Sequence, residues 1–529
     1  MAKAPKKRKK SSSAGRRKPR SAPGPAAGPG RAGVRAQPAS ARRRINVVYA
    51  SSELAPFAKT GGLADVAAAL PAALGAGGAG VTVMLPLYRR VRESGVELEP
   101  LAVPHVSVPL GPYSVKVGLE GAELAGGRAR LVCLRYDPYF DRAGLYGENG
   151  CDYPDNAQRF SLFSRGVITA TRALGVRPHV FHANDWQTAL VCAYVRTLES
   201  GWAAGAKTLL TIHNIGYQGR FWKWDLPWTG LDWSLFNPEA VEFYDSLNFL
   251  KAGIVFADAV TTVSPTYARE IQTSADRGMG MEGALGKRGR DVHGILNGVD
   301  RSVWDPRTDP HIAANYSAKD LAGKAKCKAS LQRTLGLPRK ARAPLLASIG
   351  RIAEQKGTGL ILEAAEDLLS LEPDCQIVVL GTGDAEIEGG LKELSTRRPR
   401  SVSARIAYDD ALAHRIEAGA DIFLMPSLYE PCGLSQLYSM IYGTVPVVRR
   451  TGGLADTVED SVGQGTGTGF VFDRFAPGAL VEAARRAIAR YRDATSWRDI
   501  MRRAMAGNWS WESSASEYEA LYRKILTRR

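Results

Sequence analysis

Short apolar runs recur along the chain from Ile45 onward, and Ala-rich stretches with helical spacing lie between them. Ile45-Asn-Val-Val-Tyr-Ala reads as a buried strand, Ala64 to Leu74 as a helix, and Val81-Thr-Val-Met-Leu as the next strand. That order is a βαβ unit, the opening of a parallel sheet. The alternation continues through His179-Val-Phe-His, Thr208-Leu-Leu-Thr-Ile and Ala259-Val-Thr-Thr-Val. Composition turns polar and basic between Pro338 and Pro344. Leu345-Leu-Ala-Ser-Ile, Gln376-Ile-Val-Val-Leu, Ile422-Phe-Leu-Met and Val445-Pro-Val-Val then follow, each with a helix after it. The pattern predicts an α/β fold of two doubly wound domains, joined between about 297 and 343.

Val66 to Leu87 runs 22 residues without a charge, which is long enough to span a membrane. Pro71, Pro86 and the glycines at 75, 77, 78 and 80 favour helix, turn and strand instead, so no membrane association is expected. The 529 residues carry 70 Lys+Arg against 53 Asp+Glu, a net charge of +17. Fifteen of those cations and no acid lie in residues 1–44, leaving 55 against 53 in the rest. A basic tail is therefore attached to a nearly neutral body. The tail is built almost wholly of Lys, Arg, Pro, Gly, Ala and Ser, cannot bury enough apolar surface to offset its ordering entropy, and is expected to be disordered. Six cysteines with no CxxC pair exclude a disulfide scaffold and a Cys-rich zinc site, and point to a reducing compartment.

Thr60-Gly-Gly-Leu-Ala-Asp65 recurs letter for letter as Thr451-Gly-Gly-Leu-Ala-Asp456. The echo predicts that each half presents a glycine turn leading into a helix, both facing one cleft, where backbone N–H groups and the helix dipole meet phosphate oxygens. Neither copy is a GxGxxG or P-loop motif. Four clusters fall where strands should end, the edge at which open α/β sheets bind ligands. Lys59 with Gly61, Gly62 and Asp65 can set a point charge beside a glycine turn. His182-Ala-Asn-Asp185-Trp186 and Thr211-Ile-His213-Asn214 place polar groups side by side at consecutive strand ends. No HxH or HExxH spacing supports a metal, and none is expected. Arg351 and Lys356 can converge on an anion, and suit a departing diphosphate whose charge grows as its bond to carbon breaks. In Pro426-Ser-Leu-Tyr-Glu430-Pro-Cys432-Gly433-Leu434-Ser435, a turn aims a carboxylate into the cleft and Gly433 to Ser435 offer backbone donors. Cys432 reads as a small buried apolar residue rather than a nucleophile.

The chain from Ile45 onward resembles the bacterial glycogen synthase and plant starch synthase family. The likeness rests on Lys59-Thr-Gly-Gly-Leu-Ala-Asp-Val, Asn184-Asp-Trp, Thr211-Ile-His-Asn, Phe249-Leu-Lys-Ala-Gly, Thr262-Val-Ser-Pro-Thr-Tyr-Ala, Ile295-Leu-Asn-Gly-Val-Asp, Gly350-Arg, Gln355-Lys-Gly, Glu430-Pro-Cys-Gly-Leu and Arg449-Arg-Thr-Gly-Gly-Leu-Ala-Asp-Thr-Val. It implies a GT-B fold, two Rossmann-like domains across a central cleft. Residues 45–296 would form the acceptor-side domain and 297–506 the donor-side domain, with a helix in 507–529 packing back on the first. It implies transfer of glucose from ADP-glucose to the non-reducing end of an α-1,4-glucan, with retention and without a cofactor. By the same likeness Glu430, Arg351, Lys356, His213 and Asp185 are catalytic. Lys59, Gly61, Gly62, Asp65, Asn297, Tyr408, Cys432, Gly433, Leu434 and Ser435 would bind the sugar nucleotide, with Tyr408 against the adenine. Many bacterial members have His where this chain has Asn184, and His where it has Gln187.

Another GT-B enzyme using UDP-glucose is the alternative, and the Lys-Thr-Gly-Gly and Glu-Pro-Cys-Gly-Leu motifs argue against it. A nucleic-acid-binding protein is suggested only by Lys6-Lys-Arg-Lys-Lys10, since the body lacks excess charge. The tail can still bind polyanions non-specifically. A non-catalytic glucan-binding relative would be expected to lack some of Lys59, Arg351, Lys356 and Glu430. The tail is Arg/Ser-rich and acid-free, as plastid transit peptides are, yet it is Lys-dense and has no evident amphipathic helix. A cytoplasmic enzyme with a permanent tail is the reading adopted.

Overall fold

The computed structural model describes residues 44–462 and 466–528. The expected disordered tail, apart from Arg44, lies outside them. The first sheet comprises β1 (Asn46–Ala50), β2 (Gly80–Pro86), β3 (Glu99–Leu110), β4 (Tyr113–Leu124), β5 (Ala129–Arg135), β6 (Val180–Asn184), β7 (Lys207–Ile212), β8 (Ala259–Thr262) and β9 (Val292–Gly294). Its nine strands run in the order β9-β8-β7-β6-β1-β2-β5-β4-β3. All pairs from β9 to β5 are parallel, and β4 and β3 extend the sheet antiparallel.

The second sheet contains β10 (Leu345–Ile349), β11 (Gln376–Gly381), β12 (Val402–Ile406), β13 (Ile422–Met425), β14 (Val445–Arg449) and β15 (Phe470–Phe472). It is wholly parallel, in the order β12-β11-β10-β13-β14-β15. That is the doubly wound dinucleotide-fold order, with its topological switch between β10 and β13. The first sheet has the equivalent switch between β1 and β6.

Burial explains which strands the sequence pattern reveals. The interior strands β6, β11 and β13 are buried along their whole length; β11 and β13 read as apolar runs, whereas β6 buries His182 and Asn184 within its span. β3 ends in strict alternation of buried and exposed positions, because one of its faces meets solvent. Its prolines and polar residues hid it among loops.

The last helix, Trp511–Leu526, belongs to the first lobe. Trp511, Tyr518, Leu521, Tyr522 and Ile525 are buried in the same core as β1, β6 and β7. Each side chain of that size contributes roughly 1.5–3 kcal/mol when fully buried. Ser514 Oγ donates to the carbonyl of Leu296 at 2.7 Å, and Tyr522 Oη lies 2.8 Å from His182 Nδ1. The chain thus leaves the first lobe after β9, builds the second, and returns. Among the described residues no helix is long and apolar enough to cross a membrane.

Candidate active site

The predicted site residues follow the carboxyl ends of strands, with Lys59, Asp185, Arg351, Lys356 and Glu430 at the two switch points. After β1, Glu53 accepts from the Thr60 and Gly61 amides at 2.7 and 3.1 Å and from Thr60 Oγ1 at 2.5 Å. It thereby shapes the turn that carries Lys59 and starts the helix Gly62–Ala76. Lys59 Nζ lies 2.7 Å from Asp65 Oδ1. Burial alone would lower the Lys59 ammonium, but this bond outweighs it and holds the group above its ordinary value. Tyr408 and Asp410 of the second lobe push in the same direction, so the turn faces that lobe. Gly62 sits beneath Leu434, where an added Cβ would be 3.8 Å from Leu434 Cδ1.

After β6 the chain turns sharply at Asp185, whose φ of 55° is unusual for a residue with a Cβ. The turn starts the helix Trp186–Thr197 and directs the carboxylate at the neighbouring strand end, where Oδ1 accepts from the His213 amide at 2.7 Å. Burial raises the Asp185 carboxyl to about 7, against the His213 and Asn214 amides that oppose the shift. His213 Nε2 lies 3.0 Å from Asn184 Oδ1, which also accepts from Tyr49 Oη. With that oxygen as acceptor, His213 Nε2 carries the proton and Nδ1 is left as the acceptor. Burial lowers the imidazole to about 3, so the ring is neutral near neutrality. His182 takes the structural role: it is buried between Tyr522 and Thr211.

In the second lobe, the turn after β10 carries Arg351 and Lys356. Gly357 closes it at φ 70°, where a Cβ would stand 2.2 Å from the Pro426 carbonyl. Lys356 Nζ is 2.7 Å from Glu430 Oε2, which also accepts from Ser427 Oγ at 3.1 Å. Arg351 reaches instead across the cleft to Tyr217 Oη at 3.1 Å and back to Gln355 Oε1 at 2.8 Å. Both cations line one small cavity of about 40 Å³, together with Gly350, Thr358 and Ser435. Their expected convergence on a single anion requires Arg351 to leave Tyr217. Tyr408, after β12, is 83% exposed, open to a ring stacked upon it. Cys432 is buried beside the Asn297 amide and its thiol is pushed up to about 12, consistent with an apolar filler. Asn297 Oδ1 is buried without a hydrogen-bond partner. Gly433 has φ 72° and begins the turn into the helix Ser435–Ile441.

The second Thr-Gly-Gly copy does not face the cleft, contrary to the expectation from the echo. Gly452 and Gly453 are buried. The Gly452 amide donates to Glu270 at 3.1 Å, and the Gly453 amide to the Glu430 carbonyl at 3.0 Å. A Cβ on Gly452 would lie 1.9 Å from that same carbonyl. The copy buttresses Glu430 from behind. Each copy receives a glutamate, Glu53 or Glu270, in place of a phosphate.

Sequence reasoning missed Glu53, Glu270, Tyr217 and Arg277. Glu270 comes from the first lobe, and beside it Thr266 donates through N and Oγ1 to Asp456 at 2.7 and 2.6 Å. Arg277 donates to the Leu428 carbonyl, which also accepts from Arg449 at 2.7 Å. These contacts hold the lobes together on one side of the cleft. Only Glu53, three residues past a predicted strand, had a local signal.

Two doubly wound lobes with opposed switch points define a GT-B glycosyltransferase. Residues 46–287 match the family described as "Starch synthase catalytic domain", and 336–504 match "Glycosyl transferases group 1". A glycogen synthase of an Anaeromyxobacter species (strain Fw109-5) is 50% identical over 486 residues, 91% of this chain and 99% of that one. A glycogen synthase of Anaeromyxobacter dehalogenans (strain 2CP-C) is 48% identical over 484 residues, 91% of this chain and all of that one. The solved catalytic domain of Starch Synthase IV from Arabidopsis thaliana, bound to ADP and acarbose, superposes with a TM-score of 0.83 at 34% identity, covering 92% of this chain and all of that one. The chain belongs to the glycogen synthase and starch synthase family.

Proposed function

We propose that the protein transfers glucose from ADP-glucose to the non-reducing 4-hydroxyl of an α-1,4-glucan with retention. The observation that carries the reading is the Lys356–Glu430 pair, 2.7 Å apart at the second lobe's switch point. It sets a cation for the diphosphate beside a carboxylate for sugar hydroxyls. Arg351, once off Tyr217, adds a second cation, and Lys59 approaches from the other lobe. Charge is thus supplied where it develops as ADP departs. The bond from C1 to the diphosphate oxygen breaks, the acceptor oxygen bonds to C1 from the same face, and its proton passes to the departing phosphate. A covalent route needs a carboxylate free beneath C1. Asp185, the candidate, is tied to the His213 amide and its carboxyl is raised to about 7 by burial, which disfavours the free carboxylate and supports the same-face route. His213, neutral and with its Nε2 proton held by Asn184, accepts from a glucosyl hydroxyl through Nδ1.

Tyr408 supports the adenine assignment, since a purine offers more surface to stack than a pyrimidine. The six cysteines are unpaired and five of them are buried, which supports a reducing compartment such as the cytoplasm. The deciding experiment is incubation with glycogen and either ADP-glucose or UDP-glucose, measuring the nucleotide released. A wide preference for ADP-glucose is expected, reduced about fivefold in Tyr408→Ala, since stacking is worth about 1 kcal/mol. Equal use of both donors would remove the adenine pocket.

A further inference from the structure

Three indoles lie open on the first lobe outside the cleft residues. Trp222, Trp224 and Trp233 are 68%, 54% and 44% exposed. Their rings follow one another at centroid distances of 6.2 and 5.3 Å, inclined by 68° and 64°. Single exposed apolar residues need no explanation, but a contiguous aromatic patch marks an interaction surface. The patch is held in place. Phe221 faces inward against Trp186 and Phe249, so strand alternation turns Trp222 outward. Asp232 caps the turn beneath Trp233 by accepting from the Ser234 amide at 2.8 Å. Lys223, between the first two indoles in sequence, is taken up by both oxygens of Asp245 at 2.9 and 2.8 Å.

We propose that Trp222, Trp224 and Trp233 form a binding surface for the α-1,4-glucan chain, distinct from the cleft in which its end reacts. The inference rests on the glucan-acceptor reading above. Aromatic faces are electron-rich and attract the C–H hydrogens on the face of a pyranose ring. Asp232 and Asp245 at the margin accept from sugar hydroxyls. Lys223 is paired with Asp245 and Arg220 lies over the Phe243 ring, so the patch presents little free charge to a phosphate backbone or an anionic membrane and suits a neutral polyhydroxylated ligand. Coplanar indoles would suit a flat polymer. Rings inclined by more than 60° describe a curved surface, which fits the curl of an α-linked chain. Trp222 follows His213 by nine residues, so the two lie at most about 30 Å apart along the chain. Tyr217, which holds Arg351, lies between them. A long glucan whose end enters the cleft can therefore reach the patch.

The test is affinity electrophoresis in gels containing glycogen, without donor, on the wild type, Trp222→Ala/Trp224→Ala and Trp222→Tyr/Trp224→Tyr. The alanine variant should lose its retardation while its melting temperature stays unchanged, and the tyrosine variant should keep most of it. KM for glycogen should rise about tenfold in the alanine variant, two ring faces being lost. Turnover on maltotriose should not move. An alanine variant retarded as strongly as the wild type overturns the proposal. Because retardation needs no turnover, binding by a protein that transfers no glucose would count against the functional reading and not against the patch.

Discussion

Lys356 Nζ and Glu430 Oε2 stand 2.7 Å apart, yet the two side chains do not share the same surroundings. The lysine is 28% exposed and can be hydrated alone, whereas the carboxylate is nearly buried, with Ser427 its other partner. Removing either should lower turnover about a hundredfold, roughly 3 kcal/mol of barrier. Stability should respond unequally. Lys356→Ala leaves a buried carboxylate short of a partner and should cost about 1–3 kcal/mol, while Glu430→Ala should cost less. Turnover at saturating donor and urea unfolding of both variants check this, and near wild-type turnover in either would remove its assigned role.

Glu270 joins the lobes by accepting from Thr451 Oγ1 and the buried Gly452 amide. Glu270→Ala leaves that amide unsatisfied and weakens the closed arrangement. KM for ADP-glucose should rise several-fold with a smaller change in kcat. Small-angle scattering should show a larger radius of gyration. An unchanged radius and KM would show that the contact does not govern closure.

Stability should depend on pH through three buried groups. His182 and His213 are both lowered to about 3 by burial. Between about pH 6.5 and 3 the unfolded chain binds protons that the fold refuses, so their contribution is complete above about 6.5 and is lost as pH falls. Asp185 acts oppositely. Raised to about 7, it holds a proton in the fold that the unfolded chain releases above about pH 4, so its contribution fades as pH rises through 7. Asp185→Asn should therefore gain on the wild type in urea midpoint between pH 5 and pH 8. An equal difference at both pH values would refute the burial argument.

The tail should be dispensable for turnover and decisive for adhesion. Fifteen cations precede Ile45, and the rest of the chain is nearly neutral. Deleting residues 1–44 should leave turnover on a maltooligosaccharide nearly unchanged. Binding of the full chain to polyanions should fall steeply as salt rises through ~0.15 M, where the screening length is about 8 Å. Kinetics and cation-exchange retention of both forms decide it. Lost turnover would make the tail part of the working enzyme.

Local chemistry wrote much of this protein into its sequence. Apolar runs covered on both faces, such as β11 and β13, announce themselves because every position is buried. The site turns are legible because a glycine, a charge and a strand end coincide at Lys59, Arg351 and Glu430. What depends on one segment meeting another was not legible. The two Thr-Gly-Gly-Leu-Ala-Asp hexapeptides both open a helix, although the first glycine is extended in one copy (Gly61, φ −157°) and left-handed in the other (Gly452, φ 43°). Only the packing of Glu430 and Glu270 against the second copy made it a buttress, leaving the first to face the cleft. The family resemblance set a helix in 507–529 against the first lobe, but the particular seat of Trp511–Leu526 beside His182 was decided by that lobe's core. Such pairings span hundreds of residues and depend on shape and burial that no local window contains.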